Sequence, residues 1–401
     1  MEKLFEMTKK EISRYHALEN IHHQHMSQKD TAELLGLSER HVRRLLKKYQ
    51  TQGPDGLVSG HRGKKSNNCL PDALKDKALD LVRSKYWGFG PTLAREKLIA
   101  YHQIKVCAET LRKWMIEADL HKRKRRSKPK LYQSRLRRDR LGELIQVDGS
   151  PHAWFEDRGA KCSLLAFIDD ATSRIMHMQF VNSESTKSYF ESFKNYLLFH
   201  GRALAFYTDR HAVFKVNAKN DKGSGLTQLS RALKELDMEL ICANSPQAKG
   251  RVERLFKTLQ DRLVKEMRLK GVSTIEKANE YLPDYIQAHN AQFSVSPRDP
   301  KDAHRLLDPK QNLNEVFCYK TTRKLTKNLE LSFRGQILQI LEEDTRSYKL
   351  RKATVQLMES LNGELTIYYQ NRKLKYKMLL MKDHQGQVMN RKEVLARTLT
   401  A

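Results

Sequence analysis

Cysteine is scarce in this 401-residue chain. The five residues Cys69, Cys107, Cys162, Cys242 and Cys318 are far apart and include no CxxC pair. An odd, scattered set argues against a disulfide framework, and the missing pair argues against a zinc ribbon or finger. His22, His23 and His25 resemble ligands at first glance, but with no Cys pair nearby they read as solvated residues at a helix end. Long apolar runs are also missing. None approaches the roughly 18 residues that a membrane span requires. The stretch MEKLFEMTKKEISRYH has no apolar core followed by small residues, so no secretory signal is expected and the protein is expected in the cytosol. Negative charge is the largest deficit: 47 Asp+Glu stand against 75 Lys+Arg, a net +28. Such an excess repels itself unless a polyanion neutralises it, and nucleic acid is the commonest polyanion, with an acidic membrane surface as the rival.

What is present is unevenly spread. The length implies roughly two to four domains. Composition and pattern divide the chain into residues 1–60, 61–122, 123–140, 141–310 and 311–401. Residues 121–140, HKRKRRSKPKLYQSRLRRDR, carry eleven basic side chains and one acid. Such a block cannot form a core alone, so it reads as a solvated linker, a linker along phosphates, or both.

Residues 1–50 read as helical. Ser27 is a helix N-cap with Asp30 in the capping-box position, Gly36 ends that helix, and Ser38 caps the next. The string QKDTAELLGLSERHVRRLLKKY resembles a helix-turn-helix. Ala32, Leu35, Leu37, Val42 and Leu45 form its inner face; Glu39, Arg40, His41, Arg43, Arg44, Lys47 and Lys48 form its outer one. A second helix with a basic outer face suits a major groove. The alternative is an ordinary helical hairpin. A second helix-turn-helix of weaker signal follows, with helices over 71–85, 91–102 and 108–118 and a turn at 103–107 that lacks glycine. Arg112 and Lys113 lie on its last helix, and Lys122, Arg123, Lys124, Arg125 and Arg126 open the basic block. All are candidate DNA contacts.

Residues 141–310 change character. Strands are expected at 144–147, 162–168, 175–181, 203–207 and 238–242, and helices at 185–200, 226–236 and 250 to about 269. The order predicts a mixed α/β sheet. Residues 311–401 carry an Asn362-Gly363 hairpin signal, an Arg334-Gly335 turn and an alternating 374–380 segment, which predict a small basic antiparallel barrel or sheet.

Three acids stand where chemistry would place them. Asp148 and Asp209 each follow a strand, and Glu253 lies in the first turn of a helix. Carboxylates at strand ends of an α/β sheet converge on one edge. Brought together they repel, so they call for cations, and hard oxygen ligands suit Mg²⁺ or Mn²⁺. Two such ions about 4 Å apart can serve phosphoryl transfer. Glu253, Lys257 and Gln260 form one helix stripe, and Lys249, Arg251 and Arg254 surround the acid with positive charge suited to gripping phosphates, so these three and Lys257 are candidate DNA contacts. Singly, each acid also reads as a surface carboxylate, and Glu253 also suits a helix start through the dipole alone. Asp169 and Asp170 compete with Asp148 but read as caps of the turn between the second and third strands. Glu235 and Glu239 compete with Glu253.

The strings QVDGSPHAWF, LLAFIDDATSRI, FYTDRHAVF and ANSPQAKGRVERLFKTLQDRLVKEMR resemble the integrase core of DDE transposases, with its RNase H-like fold. With tandem helix-turn-helix domains before it and a basic barrel after it, the chain is most similar to bacterial insertion-sequence transposases of the ISNCY family. The resemblance implies that Asp148, Asp209 and Glu253 are the catalytic and metal-binding triad, with two Mg²⁺ (or Mn²⁺) ions. It implies a bacterial, nucleoid-associated enzyme that binds terminal inverted repeats, cuts the ends with metal-activated water and joins the 3′-OH to target DNA. It further implies a homo-oligomer pairing two DNA ends. The 44-residue step from Asp209 to Glu253 is longer than in the commonest relatives, and the polar 215–225 stretch reads as an insertion. A catalytically inactive DNA-binding regulator and a nuclease that cuts without joining are the alternative readings.

Overall fold

The computed structural model describes residues 7–63, 69–123, 136–215, 226–242, 250–341 and 347–379. The chain forms two compact units, Met1–Lys122 and Arg123–Ala401.

The first unit is helical. Helix α1 (Lys9–His22) is closed by a Thr8 capping box with Glu11. The buried Glu11 carboxylate also accepts from the Ser59 N–H at 2.9 Å and pairs with Arg62. Hydrogen bonds to its carboxylate hold its pKa at about 2. Helix α2 (Gln28–Leu35) starts at Ser27, whose capping box with Asp30 is formed, and stops where Gly36 turns left-handed. Ser38 then caps α3 (Glu39–Gln52). Leu18, Ala32, Val42, Leu45 and Leu57 are the buried core, with Leu37 packed beside them. Arg40, Arg43, Arg44, Lys47 and Lys48 are exposed and His41 is half-buried. His22, His23 and His25 are exposed where α1 ends. Helices α4 (Asp72–Ser84), α5 (Pro91–His102) and α6 (Ala108–Glu117) enclose a second core around Leu79, Leu93, Leu98, Leu111 and Met115. No glycine ends α5. Gln103 takes the left-handed conformation instead, and its N–H closes onto Ile99 O.

The second unit is built on a five-stranded sheet in the order β3-β2-β1-β4-β5. Its strands are β1 (Leu144–His152), β2 (Cys162–Asp169), β3 (Ile175–Val181), β4 (Ala205–Thr208) and β5 (Glu239–Cys242). The first three are antiparallel; β4 and β5 run parallel to β1. Helices α7 (Thr186–His200) and α8 (Gln228–Glu235) cover one face, with Phe190, Phe193, Tyr196, Leu229 and Leu233 packed on Ile145, Val147 and Phe206. Helices α9 (Gly250–Leu269) and α10 (Ile275–Phe293) cover the other, with Val252, Leu255, Leu259 and Leu263 against Leu164, Ala166 and Ile168. The mixed α/β sheet is as expected. Helix α10 was not. It lies along the edge strand β3, where Asn290 bonds both Ile175 N and O, at 2.8 and 2.9 Å, and Asn279 bonds both Phe180 N and O, at 2.7 and 3.0 Å. Side-chain amides thus occupy backbone groups that an edge strand would otherwise present.

After α11 (Leu313–Val316) the chain forms two small antiparallel sheets, not the expected barrel. One has the order β11-β10-β9-β6: β6 (Tyr319–Lys324), β9 (Thr354–Glu359), β10 (Leu365–Tyr369) and β11 (Arg372–Leu374). The other is β12-β8-β7: β7 (Glu330–Phe333), β8 (Gln336–Ile340) and β12 (Tyr376–Leu379). They share a core of Leu325, Leu331, Leu338, Val355, Leu357 and Ile367. No ladder joins them among the described residues. The chain passes between the sheets three times, from β6 to β7, from β8 to β9 and, at Lys375, from β11 to β12, so the strands pack as two sheets over one core rather than pairing round a ring. The expected turns are present: Arg334 and Gly335 both have positive φ between β7 and β8, and Gly363 does so between β9 and β10. Among the described residues no helix is long and apolar enough to cross a membrane.

Candidate active site

Strand β1 runs further than its sequence suggests. Gly149, Ser150 and Pro151 look like a turn, yet they pair with Leu165, Leu164 and Ser163 of β2. Asp148 therefore sits inside a nine-residue strand rather than at its end. The other side of β1 is different. Its parallel pairing with β4 gives Leu144↔Ala205, Ile145↔Phe206 and Gln146↔Tyr207, and stops there. Carried on two residues, that register sets Asp148 and Asp209 at one level, on neighbouring strands about 4.8 Å apart. The same point is where the strand order reverses between β1 and β4, and ligands bind at such switch points in open α/β sheets. Both aspartates are half-exposed. The Asp209 carboxylate accepts from the His211 N–H at 2.9 Å, which holds the turn leaving β4.

Helix α9 is attached to β1 at two places. Val252 N–H donates to the Gln146 side-chain oxygen at 3.2 Å, and the Gln260 amide donates to Ser150 Oγ at 3.2 Å. Gln146, Asp148 and Ser150 alternate onto one face of β1, so the helix brackets Asp148. Glu253 follows Val252 in the first turn and is exposed. Gln260, at one end of the Glu253–Lys257–Gln260 stripe, faces the strand, and Glu253 and Lys257 are exposed. Among the described residues no three His, Cys, Asp or Glu side chains form a ready metal cage. Two carboxylates at one level with a third on the covering helix nevertheless suit Mg²⁺, which keeps several waters and takes only one or two carboxylates, with phosphate completing the shell.

Glu184, not singled out by the sequence, packs its carboxylate against Gly149, where a Cβ would collide with it. Tyr189 Oη donates to it at 2.8 Å. Burial, with Glu184, Asp148 and Asp209 nearby, pushes the Tyr189 phenol well above its ordinary value. An acid one residue before the Ser185 cap of α7 carries no local signature that would reveal this.

The other candidates fall into different settings. Asp169 and Asp170 cap the β2–β3 turn and are fully buried. Glu235 pairs with Arg231 and Lys320, and Glu239 is exposed at the start of β5. Trp154, which follows Asp148 closely in sequence and is not one of those candidates, is fully buried and donates to Ser150 O at 2.9 Å. Arg254 and Lys257 are exposed, whereas Arg251 bonds Asp170 at 2.8 Å and is 17% exposed. Arg112 is held by Glu109 at 2.7 and 2.5 Å, and Lys113, Lys122 and Arg123 are exposed. Lys124, Arg125, Arg126, Lys249 and most of the 215–225 stretch lie outside the described residues. The end of the basic block is held within the second unit: Arg137 donates to Ala171 O and Ser173 Oγ, and Arg140 pairs with Asp299.

Comparison with known proteins gives the following. A model of a helix-turn-helix domain matches residues 13–65. The protein named transposase y4bF in Sinorhizobium fredii is 42% identical over 377 residues, 94% of this chain and 82% of that one. The transposase for insertion sequence IS1202 of Streptococcus pneumoniae is 28% identical, over 94% of this chain and 87% of that one. Among solved structures, the HTLV-2 integrase catalytic core domain in complex with magnesium is 15% identical with a TM-score of 0.30, over 42% of this chain and 100% of that one. A simian T-cell lymphotropic virus intasome bound to a PP2A regulatory subunit is 12% identical with a TM-score of 0.33, over 75% of this chain and 95% of that one.

Proposed function

The chain belongs to the transposases, the family of its two relatives, and on that premise we propose that it is a DDE transposase that cuts the ends of a DNA element and joins them to target DNA. Asp148, Asp209 and Glu253 are the catalytic and metal-binding acids. The observation that carries this reading is the parallel β1–β4 register, which continued two residues brings Asp148 and Asp209 level, with the first turn of α9 bonded to the same face of β1. The three carboxylates would hold two Mg²⁺ (or Mn²⁺) ions, which when bound polarise a phosphodiester and acidify an attacking water or 3′-OH. The chain's own residues orient the substrate. Arg254 and Lys257, exposed beside the acids, grip phosphates, with Lys249 beside them in sequence. Arg40, His41, Arg43, Arg44, Lys47 and Lys48 enter a major groove. Arg112, Lys113 and the basic block from Lys122 to Arg126 follow the backbone of the terminal repeats. No covalent enzyme intermediate is needed, because positioning and charge supply the catalysis.

Residues 1–60 and 61–122 are the two DNA-reading domains, 123–140 the linker, 141–310 the catalytic core and 311–401 a basic accessory region. The protein acts in the bacterial cytoplasm, on the nucleoid, as a homo-oligomer holding two ends. Asp148→Asn and Glu253→Gln test the site. Each should bind terminal-repeat DNA normally and lose Mg²⁺-dependent cleavage by at least about 100-fold. If both cut as fast as the parent, the site is elsewhere.

A further inference from the structure

Gln146 has no exposed surface, and both ends of its amide are used. Its nitrogen donates to Asp170 Oδ1 at 2.8 Å, and its oxygen accepts from Val252 N–H at 3.2 Å. That N–H is one of the first four in α9, which have no partner inside the helix. Asp170 Oδ1 also accepts from the Arg251 guanidinium at 2.8 Å, and Oδ2 accepts from Arg138 N–H at 3.0 Å. The Asp170 N–H itself donates to Leu144 O at 2.9 Å. One buried carboxylate therefore ties together the start of β1, the β2–β3 turn and the first turn of α9. Arg251 and Val252 are both held by this cluster, and Glu253 is the next residue along. On the strand, Gln146 lies two residues before Asp148 and points to the same face.

We propose that Gln146 and Asp170, with Arg251, form a clamp that fixes where Glu253 meets Asp148. They are positioning residues: none need touch DNA or metal. The geometry assigns the Arg251 guanidinium to this clamp rather than to a phosphate. A glutamate on an exposed first turn has freedom to swing, and the helix start beneath it is where that freedom can be removed. Anchoring groups of this kind typically change metal affinity or activity by about 10- to 100-fold when lost.

The inference rests on Glu253 being a site acid, and the experiment separates the two. Mn²⁺ affinity of the full chain is measured by electron paramagnetic resonance without DNA, for Gln146→Leu, Arg251→Met, Glu253→Gln and the double variants. Gln146→Leu and Arg251→Met should each weaken Mn²⁺ binding about 10-fold in the parent. Neither should weaken it further beside Glu253→Gln, because the positioned group is then absent. Terminal-repeat affinity should stay within about 2-fold, and its salt dependence should be unchanged in Arg251→Met, whereas loss of a phosphate contact lowers that slope by about one. Equal losses in both backgrounds, or no loss in either, overturn the clamp. If Glu253→Gln binds Mn²⁺ and cuts like the parent, it is the reading of Glu253 that fails. Arg251→Met removes the clamp from its rim, so it carries the test should Gln146→Leu not fold.

Discussion

The turn joining β2 to β3 and the edge where β4 leaves β1 each carry two aspartates, in opposite surroundings. Asp169 and Asp170 are fully buried, and every carboxylate oxygen has a fixed donor: Gly142 N–H and the Thr172 N–H and hydroxyl for Asp169, and Gln146, Arg251 and Arg138 N–H for Asp170. Asp148 and Asp209 are half-exposed at the switch point of the sheet. An interior carboxylate is tolerated only when its oxygens are committed to donors, and that commitment makes it structural. At the edge, the same chemical group keeps surface that water, a cation or a phosphate can reach. The Asp-Asp string that resembles a motif most loudly is thus the scaffold, and the solitary aspartates are the candidates for chemistry.

The contrast can be broken at three places. The largest effect is expected at Asp209→Asn, which should slow Mg²⁺-dependent end cleavage by at least about 100-fold. Its thermal midpoint should stay within about 2 °C of the parent, since the edge residue supports little of the fold. A matching loss of stability would move Asp209 into the scaffold class. Next comes Asp169→Ala. It strands three buried donors and should cost the second unit about 3 kcal/mol in urea unfolding; a cost under about 1 kcal/mol would show that those bonds are dispensable. The smallest effect extends the contrast to histidine. His177 keeps some surface, but its Nε2 is buried without a partner among the described residues. Burial lowers its pKa from 6.5 to about 4. The folded state therefore prefers the neutral ring, and its stability is full above 6.5 and falls as the pH drops from 6.5 through about 4. At pH 5.5 this group should cost about 1 kcal/mol relative to pH 7.5, and His177→Gln should flatten that part of the urea profile.

Local chemistry was the legible part of the sequence. The Ser27–Asp30 capping box, Gly36 and the Gly250–Leu269 stripe announce their elements within a few residues. Gly149-Ser150-Pro151 misleads because the antiparallel partner β2 overrides turn-forming residues, leaving Asp148 mid-strand. Helix α10 is masked by Pro283 inside it and by a polar face whose asparagines serve β3. The two-sheet arrangement at the end of the chain depends on three passages between the sheets, β6 to β7, β8 to β9 and β11 to β12, which strand patterns do not reveal. For the site, the identities of Asp148, Asp209 and Glu253 could be proposed from spacing and resemblance. The Gln146–Asp170–Val252 connection could not, since it links residues 24 and 106 positions apart with side chains that look ordinary in sequence.

The asparagine contacts along β3 have a consequence for assembly. A sheet margin with bare amides and carbonyls is a template on which another chain can crystallise into a continuous ribbon. Here, Asn279 and Asn290 of a 19-residue helix occupy backbone positions at both ends of that margin. Lateral polymerisation from this side would first require peeling away α10 together with its buried Leu282 and Tyr285. This flank of the sheet is thereby closed to strand addition by another copy of the chain.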